Sequence, residues 1–279
     1  AWWRREVFRL GPDGDADFVS GVPPDYFNAD GQRWGNPLYD WEYLQRKGFN
    51  WWLSRLRSQA QRFDLLRIDH FRALESCWAI PADSPTARDG HWETVPGDEL
   101  LTEALRLNPD CALVAEDLGT ITDEVRALRD RFGLPGMLVL QFAFDGSPDN
   151  PYLPANHVEN AVVYTGTHDN DTTAGWYASL DDQARTHVDA VIGQPQAPVA
   201  AAGAMVKTAC ASPAKLAMIP FQDLLGLGSD ARMNTPGTVG GNWQWRFAWS
   251  DLDGQLASQT ARLLDTTGRR GEGLRGEAA

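Results

Sequence analysis

Five short apolar runs, each followed by a helical or turn-rich stretch, constrain this chain more than any other feature. They are DLLRID (64–69), CALVAED (111–117), MLVLQFAF (137–144), NAVVYTGTHD (160–169) and AKLAMIPF (214–221), the last ended by Pro220. Continuous apolar strands alternating with helices argue for a parallel sheet covered on both faces. Helical patterns fill the intervals. DWEYLQRK closes at Gly48, and Asn50 then precedes a helix whose Trp52, Leu56, Ala60 and Phe63 make one face. DELLTEALRLN stops at Pro109, Thr122 is placed to cap DEVRALRDRF, and further helices are expected near 171–180, 181–192 and 198–211 and over LDGQLASQTARLLDTT. The fold class is therefore α/β, with five βα units. A closed (β/α)8 barrel needs eight, and the residues before 64 cannot hold three more, because each crossover alone takes about 10 to 12 residues. The expected architecture is the C-terminal part of such a barrel over residues 1–267, with 268–279 as a disordered tail.

Residues 11–39 stand apart. They combine Gly, Pro, Asp and Asn with Tyr26, Phe27, Trp34 and Tyr39 and show neither a strand nor a helix period, which predicts a long aromatic loop of functional kind. The chain holds 12 tryptophans in 279 residues, and indole faces suit the apolar faces of sugar rings as well as they suit a core. Its 25 basic and 38 acidic residues leave a net charge of −13, the wrong sign for nucleic acid or an anionic membrane surface. Cys77, Cys111 and Cys210 form no paired motif, which argues against a disulfide framework and for a reducing, cytoplasmic compartment. No apolar run is long enough to span a bilayer, and AWWRREVFRL lacks the features of a signal peptide.

Three strand ends carry acidic residues: Asp69 in RIDHF, Glu116 in AEDLG and Asp169 in THDND. Strand C-terminal ends are where barrel enzymes keep catalytic groups, although an Asp there is also a common turn former or helix cap. Arg67 lies two residues before Asp69, so both side chains face the same side of a strand, and a guanidinium keeps a neighbouring carboxylate ionised. Glu116 then needs the opposite setting, partial burial and nearby negative charge, to stay protonated and donate to a leaving oxygen. Two carboxyl groups in those states, about 5 to 5.5 Å apart, perform retaining chemistry at a glycosidic bond. The five histidines show no metal-ligand spacing, and neither a phosphate loop nor a dinucleotide fingerprint is present, so no metal and no cofactor is expected. His168, beside Asp169, reads either as a donor to a sugar hydroxyl or as a satisfied polar residue at a strand end.

The strings SGVPPDYF, GQRWGNPLYDW, RIDHFR, AEDLGTIT, RFGLPGMLVLQFAF, VVYTGTHDND, QDLLGLGSDARMNTPGT and GNWQWR resemble, in order and spacing, the 4-alpha-glucanotransferases called amylomaltase or disproportionating enzyme, glycoside hydrolase family 77. The resemblance runs from about residue 19 to residue 247 and implies a (β/α)8 barrel and a retaining double displacement on maltooligosaccharides and α-1,4-glucans. It implies Asp69 as nucleophile, Glu116 as acid/base and Asp169 as transition-state stabiliser, with Arg67 and His168 around the reacting sugar. Tyr26, Phe27 and Trp34 match the family's aromatic acceptor loop. Asn234, Asn242 and Trp243 match its donor side.

The resemblance also implies three βα units ahead of residue 1, and hence a complementing N-terminal fragment as partner. An open five-unit sheet would expose apolar strand edges. The rival readings are an alpha-amylase-type hydrolase with water as acceptor and a catalytically silent glucan-binding remnant.

Overall fold

The computed structural model describes residues 3–24, 28–109 and 111–270. Tyr26 and Phe27 lie outside them. The chain divides into two compact units, residues 1–136 and 137–279.

In the first unit, strands β1 (Phe18–Val22) and β2 (Gln32–Pro37) are followed by helices α1 (Trp41–Arg46) and α2 (Asn50–Ala60). Then come β3 (Leu65–Ile68), β4 (Ser76–Pro81), β5 (His91–Thr94), α3 (Gly97–Leu107), β6 (Ala112–Ala115) and α4 (Asp123–Arg131). One sheet is antiparallel in the order β2-β1-β4-β5, and the other is the parallel pair β3-β6. The helices bury Leu44, Leu53, Leu56, Leu100, Leu101 and Val125 against Phe71, Leu74 and Leu113 in one core. Local chemistry starts the helices: the Asp40 carboxylate accepts from the Tyr43 amide at 2.8 Å at the start of α1, and Gly48, at φ +58°, follows its end.

The antiparallel sheet corrects the sequence reading. Residues 11–39, expected as loop, contain β1 and β2, and residues 70–96, where no strand is expected, contain β4 and β5. Strand β2 is exposed along nearly its whole length and so has no period to betray it. At Gly21 the two strands come so close that a Cβ would lie 2.0 Å from the Gln32 carbonyl oxygen, and only glycine fits. The face of α2 also differs: Leu53 and Leu56 are buried, whereas Phe63 lies past the helix end and is 57% exposed. Asn50 is the first residue of α2 rather than the one before it, a place taken by Phe49 in a left-handed conformation.

The second unit contains β7 (Gly136–Val139), β8 (Ala161–Tyr164), helices α5 (Thr173–Ser179), α6 (Asp182–Ile192) and α7 (Pro198–Ala211), β9 (Leu216–Met218), and helices α8 (Phe221–Leu224) and α9 (Leu256–Thr266). Its sheet has the order β7-β8-β9, with β8 and β9 parallel. Leu140, Val163, Tyr177, Val188 and Met205 form its core. All five apolar runs hold a strand, but they are not equally covered. Strands β7 and β8 are buried on both faces, whereas β3 and β9 leave Leu65, Leu216 and Met218 exposed; among the described residues β3 pairs with β6 and β9 with β8. Arg269, within the stretch expected as tail, donates to the carbonyls of Cys210, Ser212 and Ala214 at the end of α7. All three cysteines are free. Among the described residues no helix is long and apolar enough to cross a membrane, and no group of three or more His, Cys, Asp or Glu side chains gathers as a metal site.

Candidate active site

The parallel register of β3 on β6 pairs Arg67 with Val114 and Ile68 with Ala115. The next residue of each strand is acidic, so Asp69 and Glu116 leave the same end of the same pair. The pairing continues past the strands: the Glu116 amide donates to the Ile68 carbonyl at 3.0 Å, and the Phe71 amide to the Glu116 carbonyl at 3.0 Å. Alternation along β3 brings Arg67 to the side of Asp69, and the two form an ion pair of 2.8 Å.

The two carboxyl groups occupy different surroundings. The Asp69 side chain is 80% exposed. The Glu116 side chain is largely enclosed; its Oε2 accepts from the His70 amide at 2.6 Å and its Oε1 from the Leu118 amide at 3.2 Å. Burial pushes the Glu116 carboxyl above the usual carboxylate range and the Asp69 charge adds to this, while the His70 and Leu118 amides and Arg67 oppose it. One group is thus solvated beside a cation and the other is biased toward its protonated form.

His70, which the sequence reading did not single out, has a left-handed backbone at φ +48°. Trp34 packs edge-to-face on the His70 ring with centroids 4.8 Å apart, and its indole N–H donates to Gln32 at 3.1 Å. One of the predicted acceptor aromatics is therefore fixed beside the Asp69 turn.

In the second unit Asp169 follows β8 in a turn. That turn is tied by its neighbours: the Asn170 side chain accepts from the Thr167 amide at 2.9 Å, and Thr172 caps α5. Asp169 is left for other partners. Its Oδ1 accepts from the Asn234 side chain at 2.6 Å, its Oδ2 lies 3.4 Å from His168 Nε2, and its carbonyl accepts from Arg232 at 2.7 Å. Arg232 also donates to the Asn234 carbonyl, at 2.8 Å. Trp243, 54% exposed and left-handed at φ +63°, packs on the His168 ring at 5.3 Å. Its amide donates to the Met233 carbonyl at 2.7 Å and closes the 233–243 loop. The Asn242 side chain is engaged inside that loop, with Thr235 and Thr238.

Beneath the Asp169 turn lies Asp223, on α8 and 2% exposed, which accepts from the Thr165 hydroxyl at 2.5 Å and from the Thr173 amide and hydroxyl at 2.7 Å each. Thr165 directly follows β8 and Thr173 opens α5, so one carboxylate fixes both ends of the segment that carries His168 and Asp169. Sequence reasoning missed Asp223 and Arg232. Both act on residues more than 40 positions away, and no local pattern marks such a contact.

The first unit thus brings together Trp34, Arg67, Asp69 and Glu116, and the second His168, Asp169, Asn234 and Trp243, with Asn242 turned into its own loop. A family model described as 4-alpha-glucanotransferase matches residues 1–252. The 4-alpha-glucanotransferases of Synechocystis and Thermus thermophilus are 48% and 45% identical to the chain, over 96% of it in both cases and over 54% and 55% of their own lengths. The chloroplastic/amyloplastic enzyme of Solanum tuberosum is 43% identical over 95% of the chain and 46% of its own length. An amylomaltase from Streptococcus agalactiae, solved in complex with acarbose, superposes with a TM-score of 0.91 at 35% identity, over 97% of the chain and 55% of that structure. The chain spans about half the length of the curated relatives it matches. On this match the chain belongs to the 4-alpha-glucanotransferases of glycoside hydrolase family 77.

Proposed function

We propose that this chain carries the catalytic machinery of a 4-alpha-glucanotransferase that moves a segment of an α-1,4-glucan onto the 4-hydroxyl of glucose or a maltodextrin. The observation that carries the reading is the β3-β6 register, which delivers an exposed, arginine-paired Asp69 and an enclosed Glu116, whose protonated form burial favours, from the same end of one strand pair. An Asp69 oxygen attacks the anomeric carbon of the donor as Glu116 gives its proton to the departing 4-oxygen, leaving a covalent glucosyl ester on Asp69. Glu116, now ionised, takes the proton from the acceptor 4-hydroxyl as that oxygen attacks the same carbon and releases Asp69. Two inversions restore the original configuration. Asp169 stabilises the positive charge that develops on the sugar ring, and His168 donates to its hydroxyls.

Transfer rather than hydrolysis requires that the acceptor displace water, and stacking aromatics supply both contact and exclusion. Trp34, together with Tyr26 and Phe27, takes that role on the acceptor side, and Asn234, Asn242 and Trp243 border the donor side. In the fold we assign the chain the five C-terminal βα units of a (β/α)8 barrel. The uncovered flanks of β3 and β9 and the half-length match to the relatives support an N-terminal fragment as the complementing partner.

The test is incubation of the chain with maltotriose, alone and together with the N-terminal half of a relative, with products resolved by length. Glucose plus a ladder of longer maltodextrins in either sample is the expected result. Glucose and maltose without longer products would identify a hydrolase. Maltotriose bound but unchanged in both samples would identify a silent glucan-binding protein.

A further inference from the structure

We propose that His70 is a positioning residue that links the acceptor-side aromatic to the acid/base: its left-handed backbone aims its amide N–H at the Glu116 carboxylate while its ring supports Trp34. This rests on the role proposed above for Glu116. The contacts converge on one residue. His70 follows Asp69 directly, its amide reaches Glu116 Oε2 at 2.6 Å, and its ring meets Trp34 at 4.8 Å and 85°. At φ +48° and ψ +52° the chain reverses between β3 and the 3-10 turn at Phe71–Leu74, and this reversal points the amide back at β6. An L-residue resists that conformation, a β-branched one most of all, whereas Asn tolerates it.

The amide is a charge-assisted donor to the ionised form of Glu116, so it favours the state that must accept the proton of the incoming hydroxyl. The charged groups around Glu116 are Arg67 on β3 and Asp69 after it, and those around the His70 ring are Asp69 and Arg72. Burial, reinforced by Arg72, lowers His70 to about 4, so its ring stays neutral against Trp34 through the neutral range. A sugar that displaces Trp34 pushes on the residue whose amide sets Glu116.

The test reads a carboxyl group rather than a product. In the 279-residue chain labelled with 13C at the glutamate carboxyls, the Glu116 signal is assigned by its loss in Glu116→Gln and titrated in His70→Asn and His70→Val. His70→Val, which disfavours the left-handed backbone, raises the Glu116 midpoint by about 0.5 to 1 pH unit as the amide turns away. His70→Asn keeps backbone and amide and leaves the midpoint in place. Loss of the ring in His70→Asn weakens maltotriose binding about three- to tenfold, read at the Trp34 indole signal. An unmoved Glu116 in a folded His70→Val chain overturns the proposal, as does unchanged maltotriose affinity in His70→Asn. Should His70→Val fail to fold, His70→Ala, with its smaller side chain, carries the same titration and the same criterion. A midpoint that moves as stated in a chain that neither binds nor transfers maltotriose, alone or together with the N-terminal half of a relative, refutes the glucanotransferase reading and not the hydrogen bond. A midpoint that stays put in a chain that transfers refutes the proposal alone.

Discussion

Replacing Asp223 by alanine tests whether the Asp169 turn is held from below. The substitution strands three buried donors at once: the Thr165 hydroxyl and the amide and hydroxyl of Thr173. A buried donor without a partner costs about 1–3 kcal/mol. With some recovery as the threonine hydroxyls rotate, the expected loss is about 4 kcal/mol, a large fraction of a typical domain's stability. At a urea slope of about 2 kcal/mol/M, the unfolding midpoint of the second unit falls by about 2 M, measured by tryptophan fluorescence and far-UV circular dichroism. The Thr173 amide exchanges faster in parallel. Asp223→Asn is the internal control. Its carbonyl oxygen still accepts from the Thr173 amide and its amide group offers the hydroxyls a donor, so it loses about 1–2 kcal/mol. A loss below about 1 kcal/mol in the alanine variant, or equal losses in the two, would refute the reasoning.

Acid destabilises this chain through His157 and His70. Burial lowers His157, whose ring nitrogens face the Ser212 hydroxyl and the Tyr152 carbonyl, and it lowers His70 to about 4; unfolding returns both to the ordinary 6.5. Protonation therefore favours the unfolded chain, and the stability the two contribute, complete above pH 6.5, is lost below it, for His70 as pH falls toward 4. The melting temperature should drop between pH 7.5 and 5, and His157→Gln should flatten that drop; a melting temperature that rises on acidification contradicts the assignment. Asn234→Ala removes the donor to Asp169 Oδ1 and should cut kcat for transfer at least tenfold with little change in KM, whereas a pure KM effect would make Asn234 a sugar contact instead. Asp69→Asn should abolish transfer and preserve maltotriose binding by calorimetry. Binding lost in step with activity would point to a folding defect.

What the sequence disclosed, and what it hid, follows from the range of the interactions. The parallel strands were legible because Leu113, Val114, Val139 and Val163 sit in uninterrupted apolar runs that only a covered strand requires. The carboxylates at their ends were legible for the same reason, since a strand's end is a local property. The β1-β2 hairpin was not. Its pairing depends on Gly21 lying against Gln32, and β2 turns nearly all its side chains to solvent. Nor could the reading separate a turn-forming Asp169 from a catalytic one. In the structure Asn170 and Thr172 take over the local hydrogen bonds of that turn, and Asp169 accepts from Asn234, which arrives from 65 residues downstream. Asn242 shows the reverse case: its type and position suit a sugar contact, but its amide binds its own loop.

Arg269 bears on where this chain tolerates shortening. Its guanidinium fastens three carbonyls at the end of α7, although it lies past the last helix, in a stretch whose Gly and charged residues invite removal from an expression clone. A stop codon after Arg270 preserves that fastening. A stop codon after Gly268 releases it, opening the end of α7 to fraying and proteolysis, and trypsin, which cuts after arginine, should spare this site while the guanidinium is docked.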